Sequence, residues 1–324
     1  MKKALRLSLL SLFFALASCR PLALQPLPED PAASRAIPAF EVPPIKPGVA
    51  YQRFIAMGDW GTGRPDQLRV AAAMAERAKK DTVDFLLTVG DNFYEDGVTS
   101  ADDPQWKEKF EDVYADPALR LPIYVSLGNH DYRGKIQAQI EYGKTHKNWI
   151  LPSAYYTFTR TFDDGTAVQF FALDTVTIVG DESATATERA QLDWLDSELG
   201  KSTARWKIVF GHRPLYSNTT KARAAQRKVM IDAVESLFTR HHVDVYLAGH
   251  DHSLEMLKPV KGVHYVITGG GAGPDKAYAV EWTDASYYAA TLGGFTLCRI
   301  SRDELVIEFV RLDATTQYAY TITK

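Results

Sequence analysis

Three apolar segments in the first 130 residues each end in a glycine, and a polar side chain that can bind a metal ion follows each glycine. Short apolar runs bounded by glycine are typical of buried β-strands. Ligands in open α/β sheets bind where strands end and loops begin, so this repetition predicts a sheet with a polar site along one edge. The segments and the residues after them are 54–57 with Gly58 and Asp59, 85–89 with Gly90 and Asp91, and 121–127 with Gly128, Asn129 and His130.

The rest of the chain alternates helical and strand-like patterns and then becomes rich in strands. This order predicts a mixed α/β fold built from layers. The length of 324 residues fits one large domain, which we place at 49–324. Helices are predicted at 67–80, 106–114, 136–146, 188–199 and 226–240, and further strands at 155–162, 167–173, 208–210, 243–248, 265–268, 294–300, 305–311 and 318–322.

The segment 1–19 is predicted to be a lipoprotein signal peptide. Lys2 and Lys3 precede an apolar stretch, 7–16, that is too short to span a bilayer. The sequence Leu-Ala-Ser-Cys that ends at Cys19 resembles a bacterial lipobox, in which the cysteine is lipidated. An ordinary secretory signal that contains a chance cysteine is the alternative.

Residues 20–48 are rich in proline and alanine and are predicted to form an extended tether between the lipid and the domain. By analogy with Gram-negative lipoproteins, Arg20 in place of an aspartate after the lipidated cysteine favours the outer membrane. We therefore expect export across the inner membrane and a lipid anchor that holds the protein in the periplasm or at the outer membrane of a Gram-negative bacterium.

Charge and cysteine content limit the classes of partner. The formal net charge is −3 and no basic run stands out, so nucleic-acid binding has no electrostatic support. Cys298 is the one cysteine besides Cys19, so no disulfide is expected once Cys19 is lipidated. Cys298 lies in an apolar segment and is predicted to be a core residue. We expect a monomer.

The side chains predicted just beyond the strand ends are carboxylates, imidazoles, an amide and a phenol, without a thiolate. Such a set suits iron, manganese or zinc and is large enough for two ions. Taken singly, Asp59 and Asp91 are better explained as turn residues, Tyr94 as a core residue and His212 as a surface histidine. The full set is Asp59, Asp91, Tyr94, Asn129, His130, His212, His250 and His252.

The pair His250 and His252 follows a predicted strand and a glycine. Residues two apart in a strand point the same way, so both imidazoles are expected on one side if the strand continues. Two imidazoles on one side favour a metal ion over an ordinary core or surface role.

Five motifs, in this order, resemble those of the purple acid phosphatases, which belong to the calcineurin-like metallophosphoesterase superfamily. The resemblance covers nearly all of 50–324, and it is nearest to the small, tartrate-resistant (type 5) acid phosphatases. It implies a four-layer α/β/β/α sandwich with two mixed β-sheets. The motifs are Gly58-Asp59-x-Gly61, Gly90-Asp91-x-x-Tyr94, Gly128-Asn129-His130-Asp131, Val209-x-x-His212 and Gly249-His250-x-His252.

The resemblance also implies a dinuclear metal centre. Most members of the superfamily have a metal-binding histidine at the position of Gly61, and Tyr94 would replace that ligand here. A phenolate prefers Fe³⁺, a harder ion than Zn²⁺ or Mn²⁺. By resemblance, Fe³⁺ would be held by Asp59, Asp91, Tyr94 and His252, and a divalent ion, Fe²⁺, Zn²⁺ or Mn²⁺, by Asp91, Asn129, His212 and His250.

The implied function is that of an acid phosphatase that acts on small phosphorylated substrates. A metal-bound hydroxide would attack phosphorus, and His130 would steady the phosphate and protonate the leaving group. A phosphodiesterase that uses the same site is the alternative among enzymes. The alternative that is not an enzyme is a surface protein that binds iron or phosphate without catalysis.

The sequence departs from the pattern of the mammalian relatives at two places near these motifs. The segment 180–188 is shorter than the acidic loop that those relatives carry there. Arg213 stands where they usually have an aromatic residue, and it is predicted either to assist anionic substrates or to face solvent.

Overall fold

The computed structural model describes residues 36–180, 187–273 and 279–324. The strands are β1 Gln52–Met57, β2 Phe85–Val89, β3 Ile123–Ser126, β4 Trp149–Ile150, β5 Tyr156–Thr161, β6 Ala167–Ala172, β7 Trp206–Phe210, β8 Val245–Ala248, β9 Leu254–Leu257, β10 His264–Thr268, β11 Ser286–Ala290, β12 Gly294–Ile300, β13 Glu304–Arg311 and β14 Thr316–Thr323. The α-helices are α1 Pro65–Asp81, α2 Ile136–Thr145, α3 Thr175–Val179, α4 Thr187–Lys201, α5 Ala224–Met230 and α6 Ser236–Arg240. Shorter 3₁₀ or π-helical turns lie at Lys107–Glu111, Pro117–Leu119, Asp131–Arg133 and Ile231–Glu235. None of the helices in these ranges is both long and apolar enough to cross a membrane.

The strands form two seven-stranded mixed sheets. The first has the order β14-β13-β12-β1-β2-β3-β4 and the second the order β11-β9-β10-β8-β7-β6-β5. Within the first sheet, β1, β2 and β3 are parallel, and within the second β6, β7 and β8 are parallel. Parallel neighbours end at the same edge of a sheet, so the loops that follow β1, β2 and β3 lie together, as do those that follow β7 and β8.

Aromatic side chains from both sheets form the layer between them. Phe54 and Phe85 of the first sheet lie 5.6 Å from Phe170 of the second, measured between ring centroids. Phe158 stacks on Phe170 at 4.7 Å. All but Phe158 are at most 1% exposed. Each buried ring of this kind contributes about 1.5–3 kcal/mol through removal from water, so the two sheets are held face to face.

Helices cover the outer faces of both sheets. Val70 and Met74 of α1 are fully buried in the same core as the first sheet. Leu195 of α4 and Phe238 of α6 are buried together with Val209 of β7. The order of layers is therefore helix, sheet, sheet, helix, and the predicted four-layer α/β/β/α sandwich with two mixed sheets is confirmed.

Four of the strands and α-helices in the described ranges were not predicted, namely β4, α3, β9 and β11. β9 has only four residues, and Glu255 interrupts its apolar pattern although the side chain is fully buried. The predicted helix 226–240 is also not continuous, because a π-helical turn, Ile231–Glu235, separates α5 from α6. Short strands and local changes of helical pitch leave too weak a periodic signal to be read from a sequence.

The predicted tether, 20–48, is described from residue 36 onward. The ring of Phe40 lies 5.8 Å from that of Tyr318 on β14. The Lys46 ammonium lies 2.7 Å from the Glu304 carboxylate at the start of β13. The last part of this segment therefore packs along the first sheet.

Candidate metal centre

All eight predicted site residues follow the carboxyl ends of five strands, on facing edges of the two sheets. The sandwich therefore brings together residues that are up to about two hundred positions apart in sequence. The contributions are Asp59 after β1, Asp91 and Tyr94 after β2, Asn129 and His130 after β3, His212 after β7, and His250 and His252 after β8.

Three of these side chains, those of Asp59, Asp91 and His252, surround the phenol of Tyr94 and form the first set together with it. The Tyr94 hydroxyl lies 3.1 Å from Asp59 Oδ1, 3.0 Å from Asp91 Oδ2 and 3.3 Å from His252 Nε2. His252 Nε2 in turn lies 3.4 Å from Asp59 Oδ1. These are the four side chains for which the sequence predicts Fe³⁺, and their oxygen-rich donors fit a hard cation.

The second set surrounds His212, which is fully buried. His212 Nε2 lies 3.3 Å from Asp91 Oδ2, 3.3 Å from Asn129 Oδ1 and 3.0 Å from His250 Nδ1. Ligand atoms of Asp91, His212 and His250 all lie within 4.8 Å of one another. Two imidazoles, a carboxylate and an amide oxygen fit a borderline divalent ion.

Asp91 belongs to both sets through a single oxygen. Its Oδ2 contacts the Tyr94 hydroxyl and His212 Nε2, while its Oδ1 accepts a hydrogen bond from the backbone N–H of His130 at 2.8 Å. Burial acts to raise the pKa of Asp91, but the His212 imidazole and His130 outweigh it and hold that pKa well below its usual range. The surroundings of Asp91 therefore favour an anionic carboxylate between the Tyr94 set and the His212 set.

The orientation of the histidines in the second set also fits a metal ion. His212 Nδ1 lies 3.0 Å from the carbonyl of Val89, to which it donates, so Nε2 is turned toward Asp91. Burial lowers the pKa of His212, but the carboxylate of Asp91 raises it more, which favours a proton between these two groups. A metal ion replaces such a proton when it binds. Burial and the charge of His212 hold the pKa of His250 well below its usual value, which favours the neutral imidazole that metal binding requires.

The prediction that His250 and His252 point the same way depended on a strand that continues through both, and this condition is not met. β8 ends at Ala248, and His250 has a φ of 67°, so the alternation of a strand does not continue through this pair. His250 instead joins the second set and His252 the first. Asp59 and Asp91 have φ values of 58° and 50°, so three site residues adopt the left-handed conformation that costs non-glycine residues about 1–2 kcal/mol.

His130 lies beside the two sets without joining either. Its Nε2 is 4.0 Å from Asp91 Oδ2, and its side chain is 17% exposed. Its Nδ1 donates to the carbonyl of Glu95 at 2.5 Å. The ring is therefore fixed with Nε2 toward the ligands and an edge open to solvent, an arrangement suited to proton transfer.

A buried network around Asn92 and Asp131 holds the loops of the first sheet and was not predicted. Asn92 Oδ1 accepts from Trp60 Nε1 at 3.2 Å and from the Thr88 hydroxyl at 2.9 Å. The Asp131 carboxylate accepts from the backbone N–H of Asn92 and from Gln139 Nε2 at 2.8 Å. Burial, followed by the charge of Asp91, raises the pKa of Asp131 to about 7. Asn and Asp are common turn residues, so their type alone carried no signal for this role.

A second unpredicted contact holds the loop that carries His250 and His252. Arg223, just before α5, donates to the carbonyl of His250 at 2.6 Å and to Asp251 Oδ1 at 3.0 Å. Asp251 lies between the two histidines and is fully buried. These charged, partly buried hydrogen bonds fix the backbone from which one imidazole enters each set.

Arg213 is 2% exposed, so the prediction of a solvent-facing arginine was wrong. Its Nη1 lies 2.9 Å from His250 Nε2, on the side of the ring that faces away from His212. The guanidinium is therefore a buried neighbour of the second set. A role with anionic substrates stays a prediction.

The site has clear relatives among known proteins. A family model described as calcineurin-like phosphoesterase matches residues 52–254. The tartrate-resistant acid phosphatase type 5 of Mus musculus is 34% identical over 285 residues, which cover 80% of this chain and 86% of that protein. The purple acid phosphatase 7 of Arabidopsis thaliana is 32% identical over 247 residues, which cover 71% of this chain and 73% of that protein.

Solved structures agree with the sequence matches. A structure titled as GAP50, the anchor in the inner membrane complex of Plasmodium, has a TM-score of 0.77 at 26% identity and covers 85% of this chain and 89% of its own. A purple acid phosphatase from yellow lupin seeds has a TM-score of 0.63 at 18% identity and covers 86% of this chain and 55% of its own, which shows the fold alone. The family match over more than half of the chain and the identity to relatives along most of their length place this chain in the calcineurin-like phosphoesterase family, among relatives that are tartrate-resistant and purple acid phosphatases.

Proposed function

We propose that the protein is an acid phosphatase that hydrolyses small phosphate monoesters with the help of two metal ions. The observation that carries this proposal is the sharing of Asp91 Oδ2 between the Tyr94 set and the His212 set. Family membership and the names of the relatives support it. Asp59, Tyr94 and His252 with Asp91 would hold one ion, and Asn129, His212 and His250 with Asp91 the other.

Two bound cations would neutralise charge on the phosphoryl oxygens and lower the pKa of a coordinated water. The chain's own residues fix where this chemistry takes place. The positions of Asp59 and Asp91 are set by backbone hydrogen bonds, since the N–H of His250 donates to Asp59 Oδ2 at 2.9 Å and that of His130 to Asp91 Oδ1. Such contacts keep the carboxylates oriented before substrate arrives, which is the condition for electrostatic catalysis.

His130 is the residue that we assign to the leaving group. Because Nδ1 donates to Glu95, Nε2 is the atom that faces the ligand groups, and a proton on Nε2 is available to the oxygen of the departing alcohol. Its partial exposure leaves room for that alcohol beside the ring. A positioned general acid of this kind contributes about 10²–10⁴ to a rate.

A phosphodiesterase is the nearest alternative activity, and two chromogenic esters distinguish the two. We expect kcat/KM for p-nitrophenyl phosphate to exceed that for bis-p-nitrophenyl phosphate by about a hundredfold, because the diester must place a second aryl group against a site lined by charged ligands. The same purified enzyme, metal content and pH serve for both assays. Faster turnover of the diester would replace the phosphomonoesterase assignment by the phosphodiesterase one.

The identities of the ions are proposed from the chemistry of the donors. Tyr94 favours Fe³⁺ in the first set, and the imidazoles of the second set suit Fe²⁺, Zn²⁺ or Mn²⁺. Metal analysis of freshly purified protein, together with its visible spectrum, tests this assignment. A phenolate bound to Fe³⁺ gives a purple protein, whereas colourless protein without iron would contradict it.

The alternative that is not an enzyme is a surface protein that binds iron or phosphate without turning over a substrate. The similar Plasmodium structure is titled as an anchor, so members of this fold are not all described as enzymes. The presence of both donor sets together with His130 favours catalysis for this chain. Absence of turnover with both metal sites loaded would favour the alternative.

We propose that the protein acts outside the inner membrane as a lipoprotein anchored at Cys19. This assignment rests on the sequence, since 1–35 lie outside the described residues. Full-length protein expressed in a Gram-negative host should fractionate with membranes, and Cys19→Ser should move it to the soluble periplasmic fraction because acyl chains supply the anchor. Retention of the Cys19→Ser variant in the membrane would contradict the assignment.

A further inference from the structure

Two adjacent residues in the loop after β2 serve both the first set and His130. The phenol of Tyr94 is the centre of the first set. The backbone carbonyl of the next residue, Glu95, accepts the hydrogen bond that fixes the ring of His130. The centroids of the Tyr94 and His130 rings are 4.4 Å apart. The position of this pair of residues therefore decides where both rings stand.

The side chain of Lys109 holds this pair from the π-helical turn Lys107–Glu111. Its ammonium donates to the backbone carbonyl of Tyr94 and, at 2.6 Å, to Gln105 Oε1. Its aliphatic part lies beside Gly63, where a Cβ would be 3.5 Å from Lys109 Cγ. Because Lys109 is half-buried, water competes only partly for the ammonium. Hydrogen bonds from a charged donor are about twice as strong as neutral ones, so this contact is well suited to holding a carbonyl in place.

The backbone that carries Lys109 is itself fixed to the loop after β1. The side chain of Gln67, on α1, is fully buried, and its Nε2 donates to the carbonyl of Lys109 at 2.7 Å. Gln67 Oε1 accepts from the backbone N–H of Gly63 at 2.7 Å. The N–H of Tyr94 donates to the carbonyl of Gly61, in the same loop, at 2.8 Å. Lys109 therefore reaches Tyr94 from a fixed support, and its ammonium ties that support to the residues beside the site.

We propose that Lys109 is a positioning residue that keeps the phenol of Tyr94 in the first set and the carbonyl of Glu95 at His130 Nδ1. This inference rests on the proposed two-metal phosphatase function. Without the ammonium, the Tyr94 carbonyl would turn toward water, and both rings would lose part of their support. Residues that orient metal ligands typically contribute about 10–100-fold to metal affinity or activity. A displaced phenol would loosen the hold on the first ion, and a displaced carbonyl would misalign the general acid.

The test compares three variants of the full-length, metal-loaded protein. Lys109→Met removes the ammonium and keeps a side chain of similar length, whereas Lys109→Arg keeps a charged donor. Lys107→Met is the matched control, because it removes an exposed lysine from the same turn whose ammonium pairs with Asp112 instead. The measured quantities are the visible absorption of iron bound by Tyr94, the rate at which a chelator removes the metal, kcat and KM for p-nitrophenyl phosphate, and Tm.

We expect Lys109→Met to shift the visible absorption maximum, to release metal about tenfold faster and to lower kcat about tenfold with little change in KM. The absorption shifts because the phenolate would meet the iron at a different angle and distance. Lys109→Arg should restore most of each value, and Lys107→Met should leave all of them unchanged.

An unchanged absorption maximum and unchanged metal release in Lys109→Met, whatever its Tm, would overturn the inference, because Lys109 would then support the fold without positioning Tyr94. Equal effects in Lys107→Met would overturn it as well. Absence of iron or of turnover in the unmodified protein would instead count against the proposed function, and the release of bound Zn²⁺ to a chelator would still test Lys109.

Discussion

Replacing Asp91 by asparagine is expected to lower kcat/KM for p-nitrophenyl phosphate by about a thousandfold or more and to reduce the bound metal from two ions per chain to fewer than one. Asp91 Oδ2 is the atom shared by the Tyr94 and His212 sets, so its loss weakens both sites at once. An asparagine keeps the shape but removes the anionic charge between the cations. A loss of about 4 kcal/mol of transition-state stabilisation corresponds to this drop in rate.

The measurements that check this result are metal content by elemental analysis and steady-state kinetics on the same preparation. Asp193→Asn, on the exposed face of α4, is the matched control because it removes a carboxylate that belongs to neither donor set. It should keep both metal ions and full activity. If Asp91→Asn retained two ions and activity within tenfold of the unmodified enzyme, Asp91 would not bridge the two groups.

The layered fold and the convergence of polar side chains at its strand ends could be predicted from the sequence because both depend on the same signal. Each of the five strands that supply the site ends where an apolar run gives way to a polar residue beside a glycine. Gly58, for example, must lack a side chain because a Cβ there would lie 2.4 Å from Val89. A glycine that close packing requires and the polar side chain that follows it can both be recognised from the residue types in the sequence.

The supporting contacts were not predictable because their residue types serve many roles. Asn92, Asp131 and Arg223 are each ordinary loop residues in the sequence, and only the fold shows that they bond across loops. The directions of His250 and His252 were not predictable for a different reason. Strand alternation holds only where the strand continues, whereas β8 ends at Ala248 and His250 has a left-handed φ of 67°.

Replacing His130 by alanine is expected to lower kcat for p-nitrophenyl phosphate by about a hundredfold or more while the metal content stays at the level of the unmodified enzyme. His130 Nε2 lies 4.0 Å from Asp91 Oδ2, and His130 is not one of the donors in either set. The expected loss is that of a general acid, about 10²–10⁴. The backbone N–H of His130, which donates to Asp91, is retained in alanine, so Asp91 keeps its orientation.

A comparison of two esters with different leaving groups tests the general-acid role of His130 more directly. A general acid matters most when the departing alcohol is a poor leaving group, so the loss should be larger for an alkyl phosphate such as glycerol phosphate than for p-nitrophenyl phosphate. His146→Ala, an exposed histidine that stacks on Tyr142 away from the site, is the matched control and should leave both rates unchanged. A loss of equal size on both esters would mean that His130 positions the phosphate without donating a proton. Loss of bound metal in His130→Ala would instead place His130 among the ligands.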